Sequence, residues 1–193
     1  MSNVQLELLQ RGQERVNAWT AANAALPPVS VQVVLRAAWR VGACAYYREN
    51  VIHICPELCA WPGYAGRAWS WPGYAVDRTP YGVLAHELGH HVDWHNPTAR
   101  RGPYWSDYSG HVRTITGSAA LTGYAPDDFE WFAEMFRLFV TNPNLLQAMR
   151  PRVYDTLKDR FNTIQPELPW QEVLHDAPLR TVAAAERKTR HDH

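Results

Sequence analysis

HELGH at residues 86–90 has the spacing of a metal-binding helix. Residues four apart project from the same face of an α-helix, so His86 and His90 can bind one metal ion together. Glu87 lies beside them and can reach a water molecule on that ion. With nine histidines in 193 residues, chance gives only about 0.02 matches to this pattern. The motif therefore predicts one half of a zinc site.

The flanking residues predict where this helix begins and ends. Thr79 suits the N-cap and Pro80 suits the first turn, where a missing N–H does no harm. The helix should extend to about Trp94 and end before Asn96-Pro97, because the residue before a proline disfavours helical geometry. Apolar residues around the motif indicate a buried site rather than a solvated helix face.

Two histidines leave a zinc site short of one protein ligand. A histidine ten positions after the first motif histidine would complete an extended motif, but that position is Asn96. His95 is one residue out of that register, and His91 projects from another face. Glu130 and Glu134 remain, four apart on an apolar helix that Asp127 or Asp128 should cap. Burying both carboxylates would be costly without a cation or hydrogen-bond partners.

Hydrophobic periodicity along the rest of the chain predicts an α+β fold. We expect helices at residues 4–25, 128–140, 144–149 and 151–161, a short one near 170–174, strands at 29–36, 42–47 and 50–55, and a long loop with short elements at 98–122. The N-terminal helix and a small mixed sheet should pack on the helix that carries HELGH. Residues 1–180 should form one domain, and 181–193 a disordered polar tail.

WPGYA occurs twice, at residues 61–65 and 71–75. Two copies are too few for a solenoid, and Pro-Gly marks a turn in each. The two segments are either turns pinned by packed aromatic side chains or, as we suggest for function, the rim of a substrate cleft.

Composition excludes several classes of protein. Lysine plus arginine equals aspartate plus glutamate, 19 of each, so no net positive field favours nucleic acid or an anionic membrane. No apolar segment approaches the roughly 20 residues of a membrane span. The first residues lack the features of a secretory signal, so we expect a soluble, cytoplasmic protein.

The three cysteines, Cys44, Cys55 and Cys59, are an odd and sparse set for a disulfide framework. We interpret them as small, half-buried thiols in a reducing compartment. A second zinc site made of His53, Cys55 and Cys59 is the alternative, but a Cys-x3-Cys spacing without a second pair is a weak indication.

HELGHHVD at 86–93, together with EWFAEMFRL at 130–138, resembles the gluzincin zinc metallopeptidases. The closer likeness is to the catalytic domain of anthrax lethal factor and related toxin- and phage-encoded peptidases. It covers about 80–95 and 124–143, and is loose elsewhere. The resemblance implies a zincin-like fold and a zinc endopeptidase that acts on a protein or peptide substrate, in a phage or toxin setting.

The resemblance also implies roles for individual residues. Glu130 would be the third zinc ligand, after His86 and His90. Glu134, and with less support Asp93, would hold a ligand histidine by its free ring nitrogen. Tyr124 would stabilise the tetrahedral intermediate, although its interval to the ligand glutamate is one residue shorter than in the toxin. An extended peptide would pair with an edge strand, for which we favour residues 51–55.

Glu87 would serve as the general base of such an enzyme. Two other functions stay open: hydrolysis of a non-protein amide, and a degenerate peptidase fold kept as a structural or binding module, for example in a phage particle. A deformylase-type site would need an upstream cysteine ligand, and no cysteine here has a matching context. A purely structural zinc site does not require Glu87, so its presence favours an enzyme.

Overall fold

The structure is a computed structural model that describes residues 3–59, 78–96, 108–119 and 127–162. Over these residues the protein is α+β, with six helices and a three-stranded mixed sheet. The elements are α1 (Asn3–Ala22), β1 (Ser30–Val33), β2 (Ala45–Arg48), β3 (Val51–Ile54), α2 (Pro80–His95), α3 (Tyr108–Thr116), α4 (Asp128–Thr141), α5 (Pro143–Met149) and α6 (Pro151–Arg160). Single 3-10 turns occupy Arg36–Ala38 and Pro56–Leu58.

The sheet has the strand order β1-β3-β2. β1 is parallel to β3, with Ser30 opposite Val51, and β2 is antiparallel to β3, with Ala45 opposite Ile54. Glu49 and Asn50 join β2 to β3 with positive φ angles of 51° and 64°, the backbone that a two-residue hairpin turn requires.

The expectation that residues 51–55 form an edge strand is wrong. β3 pairs on both sides, with β1 and with β2. Its inward side chains, Ile52 and Ile54, are fully buried. A central strand has no free backbone groups with which to bind a peptide. Within the described residues, β1 and β2 are the edges.

Helix α2 occupies the middle of the fold. It packs against α1 and α4, and β2 and β3 cover it from the sheet side. Nearly all of its residues up to Asp93 are buried, as expected for a helix surrounded by other elements. The packing of α1 and the sheet on α2 that the sequence predicts is confirmed.

Glycines allow α2 to approach its neighbours closely. A Cβ at Gly89 would lie 2.8 Å from Ala133 Cα on α4, and a Cβ at Gly12 of α1 would lie 3.2 Å from Tyr81 Cα. Neither distance leaves room for a methyl group. The short axis-to-axis approach of α2 and α4 therefore depends on Gly89.

Five predicted helices and three predicted strands each have a counterpart among the described residues. Within residues 98–122, for which the sequence predicts a long loop with short elements, residues 108–116 form helix α3. Thr79 does occupy the N-cap of α2, but it makes no side-chain capping hydrogen bond there. Three predicted features lie outside the described residues: the WPGYA repeat, the segment 170–174 and the tail 181–193.

No helix among the described residues has the length and hydropathy to cross a membrane.

Candidate metal centre

The structure brings His86, His90 and Glu130 together on the facing sides of α2 and α4. His86 Nε2 lies 3.2 Å from Glu130 Oε2, and His90 Nε2 lies 3.6 Å from Glu130 Oε1. One ligand atom from each side chain falls within 4.8 Å of the other two. This is the one group of three or more metal-binding side chains at such range in the described part of the chain. These residues could hold a metal ion.

The spacing of these atoms fits a tetrahedral ion. Bonds of about 2.1 Å at tetrahedral angles place neighbouring ligand atoms about 3.4 Å apart. The two imidazole nitrogens lie 3.2 and 3.6 Å from the Glu130 carboxylate, each nearest to a different oxygen. The donor set of two imidazole nitrogens and one carboxylate oxygen is one that zinc accepts with an open fourth position. These separations are therefore compatible with a tetrahedral metal ion held by the three side chains.

The surroundings of His86 support the same conclusion. Its Nδ1 lies 2.8 Å from Glu134 Oε1, so a neutral ring with its proton on Nδ1 places that proton next to the carboxylate. Burial is the main cause that lowers the pKa of His86 well below its ordinary value, with the positive charge of Arg137 as the next cause. The neutral ring then turns a lone pair on Nε2 towards Glu130 Oε2, which is buried and accepts no hydrogen bond within the described residues. Two electron-pair donors that face each other at this distance favour a cation between them.

Glu134 is the carboxylate behind His86. It is 1% exposed, and besides His86 it contacts Arg137, whose side chain is fully buried one turn further along α4. A buried carboxylate is tolerated when it has an opposite charge and hydrogen-bond donors around it. Glu134 can therefore stay ionised and orient the ring of His86, which is the role that the resemblance implies.

Glu87 lies next to this group and is 7% exposed. Burial is the largest cause that raises its pKa to about 8, and the negative charges of Cys44 and Glu130 raise it further. A bound cation would favour the ionised form of this carboxyl, because a positive charge stabilises a carboxylate. Burial also lowers the pKa of His90, which keeps its imidazole neutral and able to bind metal.

Local structure places each ligand. Asp127 is the N-cap of α4, and its Oδ1 accepts a hydrogen bond of 2.9 Å from the Glu130 N–H. This cap fixes the first turn of α4, from which Glu130 reaches α2. Gly89 lies between the two histidines in the sequence and sets how closely α4 approaches them.

The other predicted residues have different positions. Asp93 Oδ1 accepts a hydrogen bond of 2.9 Å from the Ser109 N–H, at the start of α3; its role towards a ligand histidine stays a prediction. Tyr124 lies outside the described residues.

His91 and His95, which do not suit the metal site by their register, lie on another face of α2. His91 Nδ1 is 3.1 Å from the Tyr47 hydroxyl, and its Nε2 donates to Pro27 O at 3.0 Å. His95 Nε2 contacts Tyr47 and Asn50. This network joins the end of α2 to the β2–β3 hairpin. The alternative zinc set of His53, Cys55 and Cys59 does not form a metal-binding group within the described ranges.

Sequence reasoning missed two residues that shape the site. Arg137 follows Glu134 by three positions on a helix, a spacing that brings side chains together, so this ion pair was open to prediction. Gly89 sits inside the motif, but its contact with Ala133 depends on the packing of two distant segments. No local pattern reveals such a contact.

Comparison with known proteins adds no relative. No protein-family model, no curated protein and no solved structure matches this chain. Its function is therefore inferred from the residues and geometry of the site.

Proposed function

We propose that this protein is a zinc-dependent peptidase with a zincin-like fold. The observation that carries the proposal is the joint approach of His86, His90 and Glu130, with Glu87 buried beside them. Residues that merely cap or pack a helix do not require two imidazoles and a carboxylate at ligand spacing. A structural zinc site with four protein ligands would not require Glu87.

The proposed chemistry divides among the residues of the site. Zinc, when bound, lowers the pKa of a coordinated water to about 7 and polarises the scissile carbonyl. Glu87 accepts the proton of the attacking water on its carboxylate and later delivers it to the leaving amine. Glu134 holds His86 in the tautomer that presents Nε2 to the metal. Tyr124, by resemblance, donates to the developing oxyanion, a contact worth about 3 kcal/mol.

Strand β2 is the edge that we assign to an extended peptide, in place of residues 51–55. It packs on α2, and its outer backbone groups have no strand partner among the described residues. Cys44, just before β2, lies close enough to Glu87 for its charge to act on that carboxyl. A peptide paired with β2 would therefore run past the proposed base, as strand addition in the resembled family implies.

The test is hydrolysis of a peptide library by the wild type and by Glu87→Gln, with zinc content measured on both. Glu14→Gln, an exposed glutamate on α1, is the matched control. We expect Glu87→Gln to retain zinc and to lose activity by about 100-fold or more, since a general base contributes about 10²–10⁴-fold. Glu14→Gln should keep full activity.

Two results would overturn the proposal. Equal hydrolysis by the wild type and Glu87→Gln would remove the proposed base. Zinc bound without any hydrolysis across peptide and non-peptide amides would favour a binding module instead.

A further inference from the structure

Cys44 and Cys59 lie together at one end of the sheet, near Glu87. Cys44 directly precedes β2 and Cys55 directly follows β3, and the Cys55 N–H donates to Cys44 O at 2.8 Å. The turn Pro56–Leu58 then folds the chain back, so the Cys59 sulfur lies 3.7 Å from Cys55 O. The Cys59 side chain also interacts with the Cys44 thiol and lowers its pKa. Strand pairing thus places Cys55 beside Cys44, and the turn returns the Cys59 thiol to the same cluster.

The three thiols differ in reactivity. Cys44 is partly exposed, whereas Cys55 and Cys59 are buried. The hydrogen bond from Cys59 is the largest cause that lowers the pKa of Cys44 to about 7; burial opposes it, and the charge of Arg78 supports it. Burial raises the pKa of Cys55. The thiolate is the reactive form of cysteine. The partial exposure and lowered pKa of Cys44 therefore favour its reaction, whereas Cys55 is buried and its pKa is raised.

We propose that Cys44 is an oxidation-sensitive thiol and that Cys59 resolves its oxidised form as a disulfide. The oxidant is a hydroperoxide. The Cys44 thiolate attacks one peroxide oxygen, the O–O bond breaks, an S–O bond forms, and the departing hydroxide takes up a proton to leave as water. Cys59 sulfur then attacks Cys44 sulfur, the S–S bond forms, the S–O bond breaks, and the hydroxide leaves as water with the Cys59 proton. In sum, two thiols and one hydrogen peroxide give one disulfide and two waters.

Disulfide formation does not depend on the proposed peptidase activity, and its test is read without an activity assay. The reduced full-length protein is treated with one equivalent of hydrogen peroxide, remaining thiols are alkylated under denaturing conditions, and the unreduced digest is mapped by mass spectrometry. We expect the Cys44 peptide to be linked to the Cys59 peptide and Cys55 to be alkylated. Alkylation of all three thiols, a link through Cys55, or a sulfinic acid at Cys44 in the wild type would overturn the proposal.

Variants separate the two roles. Cys59→Ser should leave Cys44 without its resolving partner, so the same treatment should give sulfenic and sulfinic acids at Cys44 and no disulfide. Cys55→Ser is the matched control and should form the disulfide at the wild-type rate. In the native wild type, Cys44 should be alkylated at least about 10-fold faster than Cys55; equal rates would contradict the assignment even if a variant failed to fold.

Discussion

The close approach of α2 and α4 at Gly89 gives a sharp prediction for Gly89→Ala. The new methyl carbon would lie 2.8 Å from Ala133 Cα and 3.1 Å from Phe136 Cβ. Both partners are fixed to the α4 backbone and cannot turn aside. Ordinary contact begins at 3.4 Å, so α4 must move away by at least 3.4 − 2.8 = 0.6 Å.

This displacement should lower the stability only slightly and should weaken metal binding more strongly. Alanine gains about 1 kcal/mol over glycine in a helix, and overpacking costs about 1–3 kcal/mol, so the free energy of unfolding should fall by about 0–2 kcal/mol. Glu130 begins the same helix, and metal–ligand distances tolerate only about 0.2 Å. Loss of this ligand should weaken zinc binding by at least about 10-fold.

Zinc affinity is measured by competition with a chromophoric chelator, and stability by urea unfolding of the zinc-free protein. Two alanine variants serve as controls. Gly42→Ala meets nothing within 4 Å and should change neither quantity. Gly12→Ala crowds Tyr81 and Leu84 at the α1–α2 contact and should lower stability with zinc affinity nearly unchanged. Zinc affinity in Gly89→Ala equal to that of Gly42→Ala would refute the reasoning.

Three further predictions follow from the site and its surroundings. Free zinc at 100 times its dissociation constant should raise the unfolding free energy of the wild type by about 2.7 kcal/mol, and His90→Ala should show almost none of this rise in a denaturant titration. Burial lowers the pKa of His91 to about 4, and the unfolded chain binds this proton below about pH 6.5. Stability should therefore fall between about pH 6.5 and 4, by up to about 3 kcal/mol from His91 alone; His91→Gln should show a shallower fall in unfolding free energy, and an unchanged slope would count against a neutral, buried His91. Arg137→Leu leaves Glu134 without its buried cation and should cost about 3–5 kcal/mol in thermal or urea unfolding, whereas an effect below about 1 kcal/mol would contradict the ion pair.

Both helices of the site are predictable from the sequence, because the signals that mark them lie within short segments. Such signals are the four-residue spacing of His86 and His90 and the N-cap at Asp127, and each spans only one or two helical turns. α2 and α4 begin at the predicted positions or within one residue of them. The three ligand candidates also lie together as expected.

The bounds of helix α3 cannot be read from the sequence, because its segment is a poor helix former on its own. YSGHVRTIT contains glycine and β-branched residues, which lower helix propensity. Tyr108 and Val112, four residues apart, are buried. Asp93, near the end of α2, accepts a hydrogen bond from the Ser109 N–H in α3. Tertiary contacts therefore stabilise this helix.

The edge position expected for residues 51–55 is wrong for a related reason. β1 pairs in parallel with β3, on the side of β3 opposite to its hairpin partner β2. Alternation of apolar and polar residues shows which face of a strand is buried, but it does not show which strands lie beside it. The central position of β3 is set by long-range pairing, which no single segment encodes.

Joint binding of one zinc ion by α2 and α4 is tested most directly by anomalous X-ray diffraction at the zinc edge, on crystals of the zinc-loaded protein. We expect one strong anomalous peak about 2.1 Å from His86 Nε2, His90 Nε2 and a Glu130 carboxylate oxygen. A peak bound by other side chains, or a Glu130 carboxylate directed away from both imidazoles, would contradict the proposed metal centre.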